Sequence, residues 1–250
     1  MADIRKIYED FNAEAYAKVY LGQDDYENQF LAEDFYHRLF TQGKLNGKTL
    51  LDVGCGPTMR SALSAGGHVS EIYLCDFVEN NLKILKKWLK NEPDAVDYSK
   101  LLNHVAKLEG KTDTKYLEER VRKSTKDVFF CDILADNPLN PRPLQQFDIL
   151  TSSYCVDSFP DYKDYLKSWK GLYSLLRPGG HLALLGTIDT TYYVVGEKKL
   201  PGANVNKASV EAAVTQAGFQ ILEFEEHRYK NDLNLESDCK GCFTLLAKKA

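Results

Sequence analysis

Two sets of residues in this 250-residue chain have the types and spacing to do chemistry. The first begins at Leu51-Asp52-Val53-Gly54-Cys55-Gly56-Pro57, an apolar run that ends in a Gly-x-Gly turn. Glycines at such a turn adopt positive φ and let a ligand approach the backbone without meeting a Cβ. Twenty positions past Gly56, Asp76 closes a second apolar run, where a carboxylate accepts both hydroxyls of a ribose. Asp132 closes a third, Phe129-Phe130-Cys131-Asp132-Ile133, at the place to meet an adenine amino group. One aspartate at a strand end is an ordinary loop cap. Three such signals, in order along one sheet edge, describe a nucleoside site. It is not a dinucleotide site: position 59 is Met and no glycine follows until Gly66, so the G-x-G-x-x-G loop that cradles a pyrophosphate is missing.

The second set is acidic. Asp157 follows the fourth apolar run, Asp189 follows the fifth in Gly186-Thr187-Ile188-Asp189, and Asp238 precedes the last in Ser237-Asp238-Cys239. Singly, each reads as a solvated loop residue. On loops that meet above one pocket they can bind an ammonium and take its proton, directly or through water. The six cysteines offer less. Cys239-Lys240-Gly241-Cys242 is a lone CxxC with no second ligand pair for zinc. It leads into Phe243-Thr244-Leu245-Leu246 rather than opening a helix, unlike a thioredoxin-like motif. The cysteines are read as small hydrophobes, and no residue is assigned to a metal.

The elements that must position these residues alternate in kind. Apolar, strand-like runs occur at Thr49–Val53, Glu71–Phe77, Val128–Ile133, Phe147–Ser153, His181–Ile188, Gln220–Phe224 and Cys242–Ala247. Helical periodicity marks Asn80–Leu89, Tyr165–Leu176 (ended by Pro178-Gly179-Gly180) and Ser209–Ala217, with Ser209 as N-cap and Gly218 just past the end. Strand–helix alternation with short connections predicts an α/β fold: a doubly wound, mostly parallel, seven-stranded Rossmann-like sheet. Residues 1–250 read as a single domain. Residues 95–127, with the charged helix candidate Thr114–Lys123, read as an insertion. Residues 1–46 read as helices rich in aromatics (Tyr8, Phe11, Tyr16, Tyr20, Tyr26, Phe30, Phe35, Tyr36 and Phe40), some packing on the sheet and others forming a lid over the ligand.

Composition narrows the partners. The formal charge of −4 and the absence of a Lys/Arg-rich stripe argue against nucleic acid and for a small substrate. No apolar run reaches the length of a membrane helix, and Met1-Ala2-Asp3-Ile4-Arg5-Lys6 lacks a signal-peptide core, so the expected setting is cytoplasmic.

Asp52-Val53-Gly54-Cys55-Gly56-Pro57-Thr58, with Asp76, Asp132-Ile133 and Leu176-Arg177-Pro178-Gly179-Gly180, resembles the class I S-adenosylmethionine-dependent methyltransferases. More narrowly, the chain is similar to the family of nicotinamide, phenylethanolamine, indolethylamine and thioether methyltransferases. That match rests on Phe11-Asn12, Gly54–Thr58, Lys87-Trp88-Leu89-Lys90-Asn91-Glu92-Pro93, Leu108-Glu109-Gly110 and Tyr192-Tyr193-Val194-Val195-Gly196-Glu197, and so spans nearly the whole chain. The resemblance implies S-adenosylmethionine as cofactor and S-adenosylhomocysteine as its product. It places Gly54, Cys55 and Gly56 against the methionine part, with Thr58 in the same loop. It puts Asp76 and Asn81 at the ribose, Asp132 and Ile133 around the adenine, and Ser153 at the methionine portion. Tyr16 and Tyr20 match lid tyrosines. The family usually has serine where Cys55 stands and tyrosine where Arg60 stands.

For the acceptor, the resemblance points to an amine. Members acting on phenylethanolamines carry acidic residues at the positions of Asp157, Asp189 and Asp238, and Arg177–Leu182 is also like theirs. Members acting on nicotinamide carry an aspartate at Gly186 and a serine near Gly202, both missing here. Methyl transfer from a sulfonium needs alignment rather than a protein nucleophile, whereas an aliphatic amine must first lose a proton. Asp157 and Asp238, helped by Asp189, are expected to bind and deprotonate a primary or secondary amine in a monomeric enzyme. The competing readings are a pyridine N-methyltransferase, a non-catalytic cofactor-binding relative, and an NAD-dependent oxidoreductase. The last is disfavoured by the missing third glycine and the lack of a Tyr-x-x-x-Lys pair.

Overall fold

Apolar runs buried on both faces make the sheet the frame of the molecule. The computed structural model describes residues 4–21, 28–230 and 237–250; Tyr26 lies outside them. Its strands are β1 (Thr49–Val53), β2 (Glu71–Asp76), β3 (Thr125–Phe130), β4 (Phe147–Ser153), β5 (Leu176–Ile188), β6 (Tyr192–Val195), β7 (Lys198–Pro201), β8 (Phe219–Arg228) and β9 (Gly241–Lys249). Seven of them form one sheet in the order β3-β2-β1-β4-β5-β9-β8, and β6 and β7 pair as a separate hairpin. β1 to β5 run parallel, and β9 is inserted antiparallel between β5 and β8. This is the doubly wound, mostly parallel seven-stranded sheet that the alternation predicts.

Successive strand residues serve opposite layers, as strand geometry requires. Leu50, Leu74, Ala183 and Leu185 face a layer built from α3 (Leu31–Thr41), α4 (Arg60–Ala65), α5 (Glu79–Leu89), α6 (Ser99–Leu108) and α7 (Lys115–Ser124). Leu51, Cys75, Leu182 and Leu184 face α8 (Tyr162–Leu175) and α9 (Lys207–Ala217). In α8 the buried Tyr165, Trp169, Leu172 and Leu175 recur at helical spacing; full burial of such a side chain stabilises the fold by about 1.5–3 kcal/mol. A third, smaller cluster joins Phe11 and Ala13 to Val78 and to Val195 and Leu200 of the β6–β7 hairpin. It ties α1 (Ile4–Glu9) and α2 (Ala13–Tyr20) across the carboxyl edge of the sheet. Among the described residues, no helix is long and apolar enough to cross a membrane.

Several boundaries differ from the sequence reading, each for a local reason. α9 begins at Lys207, because Asn206 rather than Ser209 is the N-cap: their side chains cap each other's backbone amides at 2.9 and 3.0 Å. Gly218 ends it at φ 105° as expected. α8 ends at Leu175, and Pro178-Gly179-Gly180 lies within β5. There the register jumps from Phe147↔Leu176 to Ile149↔His181, so Arg177–Gly180 form a bulge. β3 stops at Phe130, which leaves Asp132 in the following turn, its amide on the Pro138 carbonyl at 3.0 Å. The 95–127 segment folds as α6 and α7, packed beside α3 and α4; periodicity revealed only the second helix.

Candidate active site

The strand order reverses between β1 and β4, and in open α/β sheets the ligand crevice opens at that point. Here the ends of β1, β2, β3 and β4 line a cleft. Gly54 holds φ +64°, and a Cβ on it would meet the Cys155 Sγ at 2.2 Å, so only glycine lets the ends of β1 and β4 approach this closely. Gly56, at φ +61°, faces open space, with no atom within 4 Å of where its Cβ would be. The loop is thus a cradle with its side-chain position left empty.

Asp76 stands at the centre of the cradle. One carboxylate oxygen accepts the Gly56 amide at 2.8 Å; the other accepts the Val78 amide at 2.8 Å and the Asn81 side-chain amide at 2.9 Å. Burial holds its carboxyl above the ordinary range, while those donors pull the other way. The Asn81 side-chain oxygen is buried in the same wall without a partner among the described residues. A vicinal diol would supply the missing donor, so these residues fit a ribose. Asp132 borders the cleft with one oxygen on the Leu134 amide (3.0 Å) and the other on the Arg5 guanidinium (2.8 Å). Ile133 lines the wall beside it. Ser153, at the end of β4, is fixed by the buried Tyr36, whose hydroxyl lies 2.8 Å from its Oγ and donates to the Ser152 carbonyl at 3.1 Å. Cys55, Thr58 and Tyr16 also line this cleft.

A second cavity adjoins the first, and the two share Tyr16, Arg60, Tyr154, Ser158 and Tyr193. Tyr20 belongs to this second cavity, where its hydroxyl donates to the Val194 carbonyl at 3.2 Å. Aromatic rings close the roof: Tyr16 packs on Tyr20 at 4.7 Å, and Tyr20 meets Tyr193 edge-on at 6.4 Å. The Tyr8 and Tyr193 hydroxyls are 2.6 Å apart and join α1 to β6.

Of the three acidic candidates, only Asp157 lines this cavity. It is 6% exposed. One oxygen accepts the Thr187 amide at 2.8 Å and its hydroxyl at 2.7 Å, whereas the other is buried with no partner among the described residues. Burial raises its carboxyl above the ordinary range against the pull of Thr187. Asp238 lies between two lining residues, Ser237 and Cys239, but its carboxylate turns onto the Thr191 amide (2.8 Å), the Thr191 hydroxyl and the Tyr192 amide (3.1 Å). These donors carry its carboxyl below the ordinary range despite some desolvation. Asp189, at φ 51°, pairs with Arg228. Of the three loop carboxylates, one thus lines the cavity, while the other two bond Thr191 and Tyr192 or pair with Arg228.

Sequence reasoning missed several contributors. Arg60 lines both cavities and pairs at 2.7 Å with Glu33, which is fully buried. The signal was available, since an arginine replaces the family's usual tyrosine. Thr187, which aims Asp157, and Arg5, which holds Asp132, carried no motif. Cys239 and Cys242 line the second cavity, Cys242 from a buried position in β9. Chemically, the arrangement offers a wall suited to a nucleoside at one end and a buried carboxylate suited to a small cation at the other, the two cavities sharing one wall.

A model of the NNMT/PNMT/TEMT family matches residues 1–250. The chain is similar to a nicotinamide N-methyltransferase of Homo sapiens, at 36% identity over 85% of this chain and 81% of that one. It is similar to an indolethylamine N-methyltransferase of Mus musculus, at 32% over 82% and 88%. It is similar to a phenylethanolamine N-methyltransferase of Homo sapiens, at 33% over 84% and 76%. Among solved structures it shares its fold with a magnesium protoporphyrin IX methyltransferase from Synechocystis PCC 6803, at 12% identity and a TM-score of 0.61, over 99% of this chain and 100% of that one.

Proposed function

The chain belongs to the NNMT/PNMT/TEMT family, and on that premise we propose that it methylates the nitrogen of a small arylalkylamine from S-adenosylmethionine, releasing S-adenosylhomocysteine. The observation that carries the amine is the unpartnered Asp157 oxygen, buried in a cavity that adjoins the nucleoside cleft. Bound S-adenosylmethionine supplies a methyl carbon already activated by its sulfonium, so no protein nucleophile is required.

The chain's own residues bind, orient and move one proton. Asp76 and Asn81 hold the ribose hydroxyls, Asp132 and Ile133 border the adenine, and Gly54–Thr58 with Ser153 and Tyr16 receive the methionine end. Asp157 accepts the acceptor's ammonium on its free oxygen and takes one proton from it. A carboxylate whose affinity for protons is raised by burial is the better base. Aromatic rings from α2 and β6 cover the amine and exclude water. Asp238 and Asp189 act as positioning residues: the first fixes the start of β6, which carries Tyr193, and the second ties the end of β5 to β8.

The cavity offers less to nicotinamide. At Gly186 a Cβ would stand 2.6 Å from the Phe243 ring, and at Gly202 it would stand 2.6 Å from the Thr190 carbonyl oxygen, so no side chain projects from either. Two assays test the reading. Thermal unfolding should be shifted upward by S-adenosylhomocysteine and not by NAD, since only a native-state ligand stabilises. Methyl transfer over a panel of arylalkylamines, nicotinamide and thioethers should favour the amines. Turnover of nicotinamide with none of the amines would overturn the acceptor.

A further inference from the structure

The proposed mechanism has no use for Cys239 and Cys242, although both line the same cavity as Asp157. Cys239 sits in the irregular stretch before β9, and Cys242 is the second residue of that strand. In a fully extended chain, Cα atoms three residues apart are separated by about 10 Å, too far for a disulfide. The chain here is curled instead. The Cys239 thiol donates to the Gly241 carbonyl at 3.1 Å, which turns it toward the residue before Cys242, and the two thiols interact. The Cys242 Sγ also lies 2.7 Å from the Tyr229 hydroxyl. Of the other four cysteines, Cys55, Cys131 and Cys155 line the nucleoside cleft, and Cys75 is buried away from both cavities.

The two thiols are unequal. The Cys242 hydrogen bond carries the Cys239 thiol below its ordinary range, although burial opposes this. The same contact, with burial, pushes the Cys242 thiol well up. Cys239 is thus the readier of the two to ionise. A reachable thiolate beside a resolving thiol is the arrangement that hydroperoxides oxidise.

We propose that Cys239 and Cys242 form a hydroperoxide-reactive dithiol that closes to a disulfide in the wall of the cavity and weakens acceptor binding. The last clause rests on the acceptor reading above. The Cys239 thiolate attacks one peroxide oxygen and the O–O bond breaks, leaving a sulfenic acid on Cys239; the departing oxygen leaves as water or an alcohol after taking up the Cys239 proton. Cys242 then attacks the Cys239 sulfur, an S–S bond forms, and the S–O bond breaks. The hydroxide leaves as water with the Cys242 proton. Two thiols lose two electrons and two protons, and the hydroperoxide accepts both. Closure draws the Cys242 sulfur away from Tyr229. Cys242 is paired across the sheet with Thr187, which holds Asp157, so the change reaches the acceptor side. Neither cysteine lines the nucleoside cleft.

The test uses the full chain, reduced and then treated with near-stoichiometric hydrogen peroxide. Trypsin cuts after Lys230, Lys240 and Lys248, so the disulfide appears as residues 231–240 joined to 241–248, separable by dithiothreitol. The acceptor KM of the oxidised enzyme should rise on the order of tenfold, the factor given by about 1.4 kcal/mol of lost contact. Binding of S-adenosylhomocysteine should not change. Cys239→Ser should give no linked peptide, and its rate, whatever its level, should ignore peroxide. Oxidation without the 231–240/241–248 link, or with Cys239 joined elsewhere, overturns the dithiol. A linked protein with an unchanged acceptor KM overturns the gate. Mapping needs no turnover, so a reduced enzyme that methylates no amine sinks the acceptor reading separately.

Discussion

Replacing Asp157 by asparagine removes a charge and little else. The asparagine oxygen can still accept the Thr187 amide and hydroxyl, now at 2.8 and 2.7 Å, and its NH2 occupies the place of the unpartnered oxygen. What is lost is an anion facing the acceptor's ammonium. At about 4 Å and an effective dielectric constant near 20, that attraction is worth about 4 kcal/mol. The amide dipole and the release of a buried charge offset roughly one of these, so about 3 kcal/mol of transition-state stabilisation disappears. That corresponds to a fall in kcat/KM for the amine of about a hundredfold or more. In the wild type, kcat/KM should also drop on the acid side as Asp157 takes a proton, at a pH above that of an ordinary carboxylate. The variant should lack that limb. Binding of S-adenosylhomocysteine should be unaffected, because Asp157 does not line the nucleoside cleft. Initial rates at varied amine and pH, with calorimetry of product binding, measure all three. A variant within threefold of wild type, with the acid limb intact, would refute the role of Asp157.

Other outcomes follow from the same geometry. Gly54→Ala forces a positive φ on alanine and drives its Cβ against the Cys155 Sγ at 2.2 Å; strain of about 1–2 kcal/mol should weaken S-adenosylhomocysteine binding on the order of tenfold by calorimetry. Arg60→Met leaves Glu33 charged and fully buried and should cost about 3–5 kcal/mol in urea unfolding. Adding Glu33→Leu should restore most of that loss, and a single variant as stable as wild type would contradict it. Burial lifts the Asp52 carboxyl to about 6 although the Ser61 hydroxyl bonds it at 2.7 Å. That value exceeds the unfolded one, so its contribution to stability is full below about pH 4 and lost as pH rises through about 6. Asp52→Asn should therefore gain about 3 kcal/mol on wild type between pH 4 and pH 8, and a difference that stays flat with pH would count against it.

The sheet was legible because its strands are buried on both faces: Thr49–Val53 and Phe147–Ser153 were bounded to the residue by apolar runs ending in glycine or serine. The β6–β7 hairpin was not, since half of its residues are lysine, tyrosine or proline and its burial comes from α1 and α2. The capping pair Asn206–Ser209 offered two residues of the right chemistry, and the sequence alone does not say which one stands outside the helix. For the site, strand-end residues such as Gly54, Asp76 and Ser153 were readable because the sheet alone carries them to the crevice. The loop aspartates were not, because side-chain direction decides their role: Thr187 turns Asp157 into the cavity, while Thr191 and Arg228 take up Asp238 and Asp189.

In the proposed mechanism the nucleoside cleft and the amine cavity share one wall, and Asp157 receives the amine. A crystal structure with S-adenosylhomocysteine and a phenylethylamine tests it most directly. The ribose hydroxyls are expected on Asp76 and Asn81, and the ammonium nitrogen within hydrogen-bond distance of the free Asp157 oxygen. An ammonium bound by Asp238 or Asp189 instead, with Asp157 facing away from the ligand, would contradict it.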